Sequence, residues 1–467
     1  MKRLIMQNYS KIKIIWLLIL FCTQYLYMFH YIVDTDFFLI KYFPLTGIAV
    51  FVIQFWGCKD WYKKKYLWLG GLICLSYLIT IFVNYQYNLL SNCKNLYWLF
   101  LYFFLYYSYD IGQEKEEYKK GLYIFNNTII IINLICSVLS LLFFITAFGI
   151  RIWSDQGSYV YGYLFVSGRL YGITDSVTSA VRVSVISIAL SMVNCKLYDC
   201  TKKWKKLYIG NVIISIIFLV ATATRAATLT FAIFLFMYIF GKHYANSGEV
   251  FRKRFGQAFF RAIIVMGCWL SILFALRPVI GWVPDLGNRV FDLGEITVKE
   301  SEKKREITLG KTEVDDEVGT LRNLMNSDSI MELYGRRGTW WTVFRDNWLF
   351  GIGAANEKTY LEKYFGVADK RMSLQMHTFT NMMVFAGISG FVLYMIYIVC
   401  ITAWSIKKLL QGKWNDCKEV GLIYLCLLLS LTVYTSTMYS NSFMSIFYWL
   451  FAGCTIRFIE DGKCDEN

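Results

Sequence analysis

Four arginines and one histidine are the residues of this sequence whose chemistry best suits a negatively charged substrate. They are Arg169, Arg225, Arg336, Arg337 and His377. A guanidinium group can bind two phosphate oxygens at once, and an imidazole can accept a proton near neutral pH. Brought together by a fold, these side chains could hold a phosphate-bearing ligand and activate a hydroxyl group. Their sequence surroundings decide how strongly each one indicates such a site.

Arg225 stands between two apolar segments, within the stretch Thr-Ala-Thr-Arg-Ala-Ala that begins at Thr222. An arginine in a membrane costs about 2.5 kcal/mol or more at a helix centre and less near the interface, and it normally has an anionic partner. Neither adjoining segment contains an aspartate or a glutamate. An acid from elsewhere in the chain remains an alternative, but the sequence favours a ligand phosphate as the partner of Arg225.

Arg169 precedes a group of residues that can cap a helix. Thr174, Asp175 and Ser176 follow it and can accept the first N–H bonds of a helix that we expect to begin near Val177. The positive end of that helix dipole would then lie on the same side of the membrane as Arg169. This arrangement also favours an anion.

Arg336 and Arg337 are adjacent and come just before an aromatic stripe. Trp340, Phe344 and Trp348 recur at every fourth position, a spacing that predicts an amphipathic helix in the membrane interface, where tryptophan is favoured. Paired arginines are commonly solvated surface residues, and a helix that merely anchors a loop is an equal alternative. The two arginines nevertheless add candidate phosphate ligands beside the interface.

The sequence has three histidines, and their positions separate them. His30 falls at the end of a predicted membrane helix and His243 in a predicted cytoplasmic loop, so we expect structural or solvated roles for both. His377 stands where a long hydrophilic segment re-enters the membrane. A histidine at a helix entry is by itself more often a cap than a general base. The role of His377 therefore depends on its neighbours.

The elements that must hold these residues are membrane helices. Of the 467 residues, 57% are hydrophobic and 17% are charged, and the mean hydropathy is +0.43, which is not typical of a soluble domain. Apolar runs near the roughly 20 residues of a membrane span recur along the chain, without the alternation of barrel strands. The sequence therefore predicts an all-α polytopic membrane protein with twelve spans. The spans are residues 14–31, 38–56, 67–84, 96–108, 124–148, 177–194, 208–223, 226–241, 262–276, 379–404, 421–437 and 441–456.

Lysine and arginine are concentrated in alternate loops, beginning with the stretch before the first span. By the positive-inside rule, these loops and both termini are cytoplasmic, in a multi-pass protein of the cytoplasmic membrane. The net charge of +15 is then mainly a topology signal that also attracts anionic lipids. Nucleic acid is not needed as a partner to explain it.

Three parts follow from this topology. Residues 1–276 would form the first nine membrane helices, residues 277–378 a large outer loop with the interfacial helix, and residues 379–467 the last three helices with a short cytoplasmic tail. A second outer segment runs from Gly149 to Ser176. Within the large loop, Gly294 to Thr320 is dense in charge and has no aromatic residue. We expect that stretch to be solvated, with disorder as an open alternative.

The cysteines indicate neither a disulfide framework nor a metal site. Nearly all of the 13 cysteines lie in predicted helices or cytoplasmic loops, and Cys93 is the clear exception on the outer side. Cys195 and Cys200 flank a loop that has no histidine partner, so packing explains them better than metal binding. We therefore expect no metal and no cofactor.

The order of the candidate residues resembles that of the O-antigen ligase and O-antigen polymerase family, over about Arg169 to Phe391. Members of this family have a multi-helix membrane body and one large external loop late in the chain. Five short elements of this sequence are similar to family motifs and occur in family order. They are Arg169-Leu170-Tyr171-Gly172, Thr224-Arg225-Ala226, Arg337 with Trp341, Phe350-Gly351-Ile352-Gly353, and His377 with Gly387 and Gly390.

The resemblance implies an inverting C-type glycosyltransferase that requires neither a nucleotide sugar nor a metal ion. Its donor would be a glycan on polyprenyl diphosphate, and its acceptor a hydroxyl group of a glycan or lipid at the outer face of the membrane. Arg225, Arg337, Arg336 and Arg169 would stabilise the departing diphosphate, and His377 would remove the acceptor proton. Membrane lipids and other polysaccharide-assembly proteins are the further partners that we expect.

The acceptor distinguishes two activities within this family. Transfer to a growing lipid-linked glycan would make the protein a polymerase of a surface or capsular polysaccharide, which is the function we predict, and transfer to a lipid A core or a protein would make it a ligase. A flippase or transporter of lipid-linked glycans would share the polytopic design, but transporters often carry internal repeats, and none is evident in this sequence. A membrane scaffold is a third alternative that leaves Arg225 unexplained.

Overall fold

The structure is a computed structural model that describes sixteen stretches of the chain. They are residues 2–26, 43–57, 64–106, 115–154, 157–164, 169–174, 177–198, 200–222, 224–246, 251–291, 295–301, 304–310, 340–365, 378–411, 414–434 and 443–464.

The described residues form twelve helices of 11 or more residues and two shorter ones. The longer helices are α1 (Lys2–Leu26), α2 (Gly47–Gly57), α3 (Leu67–Val83), α4 (Leu89–Tyr106), α5 (Lys115–Ile145), α6 (Val177–Leu197), α7 (Lys202–Ala221), α8 (Arg225–Asn246), α9 (Phe251–Phe291), α12 (Thr378–Leu409), α13 (Asp416–Tyr434) and α14 (Phe443–Cys464). The shorter ones are α10 (residues 340–346) and α11 (Glu357–Phe365).

The fold is predominantly α-helical, and each of the twelve predicted segments overlaps one of the longer helices. Among the described residues, six helices are long and apolar enough to cross a membrane, namely α5 to α9 and α12. The remaining crossings stay a prediction. Several boundaries differ from the prediction. The helix α9 runs from Phe251 to Phe291, beyond both predicted ends of the ninth segment at Ala262 and Leu276, and α1 already begins at Lys2, before the predicted start at Ile14.

A five-stranded sheet stands beside the helices, and the prediction of an all-α fold missed it. The strand order is β3-β2-β1-β4-β5, in which β1 and β4 are parallel and the other pairs are antiparallel. All of its strands come from the two predicted outer segments. The strands are β1 (Gly149–Ser154), β2 (Gly157–Leu164), β3 (Arg169–Gly172), β4 (Glu295–Ser301) and β5 (Lys304–Gly310).

For the described part of the stretch Gly294 to Thr320, the strands β4 and β5 contradict the disorder left open, since residues 295–301 and 304–310 pair as a hairpin. Residues 311–320 lie outside the described residues. The physical reason is visible in the residue types. In the sequence, Ile296 and Val298 alternate with Glu295, Thr297 and Lys299, which is the two-residue apolar and polar period of a strand. The many charged residues around this short alternation obscured it.

The most enclosed helices are α13 and α14. Nearly every described side chain from Cys417 to Thr432 is buried, and so is nearly every one from Met444 to Ile459. A helix that is apolar on all sides belongs in the centre of a bundle. The peripheral helix α9 instead exposes apolar side chains such as Phe260 and Ile264, as a lipid-facing helix should. The core therefore lies around α13, which contacts α6, α8, α12 and α14.

Buried amides and hydroxyls connect α5, α6 and α7. The Asn133 side-chain amide donates to Asn211 Oδ1 at 3.2 Å and to Ser215 Oγ at 2.9 Å, while Ser184 Oγ donates to Asn133 Oδ1 at 2.9 Å. A second layer contains Asn126, Asn127, Asn194 and Tyr208. Such bonds hold membrane helices together because lipid offers no competing partners.

The helix ends near Glu419 define what we call the basic end of the bundle. Glu419, near the start of α13, accepts hydrogen bonds from Lys242 Nζ at 2.7 Å and from Tyr238 Oη at 2.6 Å. Its second oxygen lies 3.3 Å from Lys196 Nζ. The C-terminal ends of α6 and α8 therefore meet the start of α13. The opposite end, where α6 and α8 begin and the sheet lies, is the sheet end.

Candidate functional site at the sheet end

The segment that contains Gly351 and Gly353 is docked into a break in α12. At Gly387 the backbone of α12 leaves the helical conformation, so backbone groups on both sides of the break need other partners. Four backbone hydrogen bonds to a distant segment supply these partners, in the manner of two paired β-strands. They run from Ile352 N to Val384 O (2.9 Å), from Gly353 N to Phe385 O (2.9 Å), from Ile388 N to Trp348 O (2.7 Å) and from Ser389 N to Leu349 O (3.3 Å). We call residues 348–356 the clasp segment.

Side chains near the end of α3 hold the clasp segment from the other side. Thr80 Oγ1 donates to the carbonyl oxygen of Phe350 at 2.5 Å, and Asn84 Nδ2 donates to that of Gly351 at 3.0 Å. Tyr360 of α11 completes the group by donating its hydroxyl to Asn84 Oδ1 at 2.7 Å. The polar groups of the segment are thus paired inside the protein, as a low-dielectric environment demands.

The helix α4 contributes a second buried amide to the clasp segment. Asn92 Oδ1 accepts the backbone N–H of Ala355 at 3.0 Å and the hydroxyl of Tyr77 at 3.1 Å, and Asn92 Nδ2 donates to Asn356 Oδ1 at 3.1 Å. Tyr77 Oη in turn accepts the N–H of Ala354 at 3.0 Å. The clasp segment therefore ties α3 and α4 to both halves of α12.

The clasp segment and the break in α12 lie so close together that each of them needs a glycine at the contact. Gly351 has φ +68°, and a Cβ there would lie 2.5 Å from the nitrogen of Gly387 and 2.6 Å from the carbonyl carbon of Phe385. Gly387 has φ +67°, and its Cβ would lie 2.4 Å from the carbonyl oxygen of Leu349. Side chains rarely adopt that backbone conformation, and backbone atoms cannot move aside cheaply.

Replacing Gly351 with alanine should therefore lower the free energy of unfolding by about 2–6 kcal/mol, because left-handed strain and overpacking each cost about 1–3 kcal/mol. Thermal unfolding of the purified protein in detergent would measure the loss. Gly71→Ala is the matched control, since Gly71 lies in α3 and a Cβ there meets no atom within 4 Å. Equal midpoints for the two variants would contradict the tight docking of the clasp segment.

The predicted phosphate ligand Arg169 begins β3, which packs against α5 and α6. A Cβ on Gly172, at the end of β3, would lie 2.8 Å from Ser140 Oγ and 3.5 Å from Phe218 Cε2. Phe218 belongs to the last turn of α7, and Arg225 follows as the first residue of α8. The backbones of Arg169 and Arg225 thus belong to neighbouring elements at the sheet end. Their side chains lie outside the described part of the structure.

The helix α8 is separate from α7, since α7 ends at Ala221 and α8 begins at Arg225. The carbonyl of Thr224 accepts the N–H of Thr228 at 3.2 Å, which is the first bond of the helix. The N–H groups of the first turn have no partner within a helix, and they carry the positive end of the helix dipole. Arg225 therefore lies at a helix start, where the backbone N–H groups and the helix dipole favour a bound anion.

Two further helices begin at the sheet end around α13. Besides α8, the helices α6 and α14 run antiparallel to α13, because Lys196 of α6 lies 3.3 Å from Glu419 and Ile459 of α14 lies beside Gly421, both near the start of α13. Their N-terminal ends therefore lie toward its C-terminal end. Helix N-termini bind phosphate-like anions through backbone N–H groups and dipoles. The sheet end around α13 therefore favours an anionic ligand through the dipoles and free N–H groups of these helix starts.

His377, Arg336 and Arg337 lie outside the described residues. The neighbouring elements are described, because α12 begins at Thr378, immediately after His377, and α10 occupies residues 340–346. The predicted base therefore directly precedes the first half of α12, which is the part of that helix that the clasp segment contacts through Val384 and Phe385. The two adjacent arginines stay a prediction.

The predicted aromatic stripe is helical only in part. The rings of Trp340 and Phe344 lie 6.4 Å apart, and Phe344 is buried, but α10 ends at residue 346 and Trp348 follows in a turn. Trp341, which is off the stripe, and Trp348 are both more than half exposed. Exposed tryptophans beside a membrane bundle are typical of the interface, and the interfacial location stays a prediction.

Sequence reasoning missed Thr80, Asn84 and Asn92, which organise the clasp segment. The sequence did contain a signal for these contacts, because polar side chains within or beside apolar helices need partners.

Among the described residues, no group of three His, Cys, Asp or Glu side chains could hold a metal ion. A comparison of the chain with protein-family models and with curated proteins found no match.

Proposed function

We propose that this protein polymerises lipid-linked oligosaccharide repeat units, by glycosyl transfer from a polyprenyl-diphosphate donor to the hydroxyl group of an acceptor glycan. The observation that carries the proposal is the convergence of helix N-termini around α13, with Arg225 as the first residue of one of them. The reaction releases a diphosphate, and most of the new charge in its transition state develops on that group. Fixed positive dipoles and a guanidinium group would stabilise that charge.

In this proposal Arg225 binds the diphosphate at the membrane boundary, and Arg169, Arg336 and Arg337 are further ligands. Bidentate guanidinium bonds suit phosphate oxygens better than an ammonium group does. Neighbouring elements carry Arg169 and Arg225, since a Cβ on Gly172 at the end of β3 would lie 3.5 Å from Phe218 Cε2 in the last turn of α7. A donor whose lipid chain lies in the membrane would reach this boundary without leaving the bilayer.

His377 is the proposed general base, which takes the proton of the acceptor hydroxyl group as the new glycosidic bond forms. It directly precedes Thr378, the first residue of α12. The positive end of the helix dipole favours the neutral imidazole, which is the form that can accept a proton. The clasp segment supports this role, since it holds the first half of α12 through Val384 and Phe385.

The proposal places the sheet end outside the cytoplasmic membrane and both termini in the cytoplasm. A cysteine-free variant that carries Ser327→Cys should accordingly react with a membrane-impermeant maleimide in intact cells. A cysteine introduced at Lys202, at the basic end, is the matched control and should react only after lysis. The reverse pattern would overturn the topology and the outer site with it.

A reconstituted reaction tests the function directly. The purified protein in liposomes would receive a single repeat unit on polyprenyl diphosphate, and the products would be separated by chain length. We expect longer lipid-linked chains to appear, with one polyprenyl diphosphate released for each repeat unit that is added. Transfer only to an added lipid A core would assign a ligase, and movement of the donor between leaflets without new glycosidic bonds would assign a flippase. Either result would overturn the polymerase proposal.

A further inference from the structure

Six exposed side chains share one face of the helix α7. Successive residues of a helix are turned by about 100°, so the six positions fall within an arc of about 120°. Buried residues of α7, among them Asn211 and Phe218, lie on the other side. The six members, which we call the lysine–isoleucine face, are Lys202, Lys205, Lys206, Ile209, Ile213 and Ile217. The face has cations at the start of the helix and apolar side chains along the turns that follow.

The three lysines of this face have no acidic partner within the described part of the chain. Acids at the basic end are paired with other lysines instead. These ion pairs are Glu116–Lys119, Asp416–Lys196, Glu419–Lys196 and Glu419–Lys242, with N–O distances of 2.7–3.5 Å. No described side chain therefore compensates the charge of the lysine–isoleucine face.

The positions of the three lysines are unfavourable for an isolated helix. The first turn of α7 contains no acidic residue, and positive charges at a helix start are repelled by the positive end of the helix dipole. Lys202 is also three and four residues away from Lys205 and Lys206, a spacing at which like charges face and repel each other. A bound anion would offset both effects.

Trp204 indicates the depth at which these lysines lie in the membrane. It is partly buried, and its ring centroid lies 6.2 Å from that of Tyr123 on α5 and 5.9 Å from that of Tyr208. Tryptophan and tyrosine are enriched at the level of the lipid headgroups. The lysines that flank Trp204 in the sequence are then level with the headgroups, and the isoleucines extend from there toward the acyl chains.

We infer that the start of α7 binds an anionic phospholipid, with the headgroup phosphate at the three lysines and an acyl chain along the three isoleucines. Cations level with the headgroups and an exposed apolar surface directly below them match the two halves of such a lipid. A soluble acidic peptide would use the lysines but leave the isoleucines uncovered. The inference does not depend on the proposed glycosyl transfer, because α7 begins at the basic end and the candidate site lies at the sheet end.

Native mass spectrometry would count the lipid bound to delipidated full-length protein in detergent, during separate titrations with dioleoyl phosphatidylglycerol and dioleoyl phosphatidylcholine. We expect the parent protein to bind phosphatidylglycerol preferentially. The double variant Lys202→Gln/Lys206→Gln should bind it about 30-fold more weakly, since each cation near a lipid surface contributes about a fivefold effect. Equal binding of both lipids by the parent, or an unchanged preference in this variant, would overturn the inference.

Lys94→Gln/Lys358→Gln is the matched control, because it removes two exposed lysines that lie on α4 and α11 and have no acidic partner among the described residues. This variant should keep the preference for phosphatidylglycerol. Loss of the preference in the control would show that net charge alone attracts the lipid, with no defined site on α7. Unfolding midpoints without lipid would confirm that each variant is folded.

Glycerol phosphate, which has the charge of the headgroup without acyl chains, tests the role of the isoleucines. We expect it to displace phosphatidylglycerol from the parent protein poorly, because it cannot cover the apolar part of the face. Displacement at concentrations equal to those of the lipid would contradict an acyl-chain contact and assign the lysines to a water-soluble phosphate.

Discussion

Replacing His377 with alanine should slow glycosyl transfer by about 100-fold to 10,000-fold, which is the usual effect of removing a general base. The acceptor hydroxyl group would then have to lose its proton to water while it attacks the sugar. Initial rates of the reconstituted reaction, at saturating donor, would measure the change. The thermal midpoint should fall little, because a lost interface cap costs only about 1 kcal/mol.

His30→Ala is the control of the same residue type, since we expect only a structural or solvated role for His30. Its transfer rate should stay near that of the parent. If folded His377→Ala protein kept more than about a tenth of the parental rate, the effect would be smaller than the loss of a general base. His377 would then position the acceptor, and the arginines would carry the catalysis.

Replacing Arg225 with lysine should lower the transfer rate by about 100-fold or more while the protein remains inserted and folded. Lysine keeps the charge but loses the planar fork that binds two diphosphate oxygens, and the loss of one fixed donor to developing charge costs about 100-fold to 1,000-fold. Rates would be compared with polyprenyl-diphosphate donor at saturation. The same variant should bind the free diphosphate product more weakly.

The control for Arg225 is Arg289→Lys, because Arg289 is exposed and lies in the last turn of α9, at the sheet end. It makes the same chemical change at the same end of the bundle and should leave the rate unchanged. Failure of Arg225→Lys to accumulate in the membrane, with normal accumulation of the control, would assign Arg225 to an ion pair within the protein. That outcome would contradict its role as a diphosphate ligand.

The sequence predicted the helices well, because long apolar runs have few alternatives in a membrane. The start of α6 at Val177 and the helix boundary at Arg225 appear where capping residues and the lone cation indicated them. The elements outside these runs were harder to predict. The strands of the sheet are short, those of the β4–β5 hairpin are rich in charge, and β1 pairs in parallel with a segment that follows four further helices. No local sequence pattern indicates a pairing between strands so far apart in the chain.

The clasp segment illustrates a second limit of sequence reasoning. In the sequence, Gly351, Gly353 and Gly387 belong to two separate elements that resemble family motifs, and their spacing says nothing about the backbone bonds between these two distant segments. Those bonds depend on a break in α12 that tertiary contacts maintain, with Thr80 and Asn84 supporting it from α3. Local propensity would have favoured an uninterrupted helix there, since the flanking residues are apolar and suited to a membrane span.

The parallel pairing of β1 with β4 also sets an order of assembly during synthesis. Gly149 pairs with Glu295, so β1 leaves the ribosome well over a hundred residues before its partner strand. At about 5–20 residues per second, that separation lasts roughly 7–30 seconds. During this interval four helices are synthesised while one edge of the β1–β2 hairpin remains open to unwanted pairing. The nascent chain is therefore vulnerable to misassembly until β4 has emerged, and a chaperone that covers this edge would act at that stage.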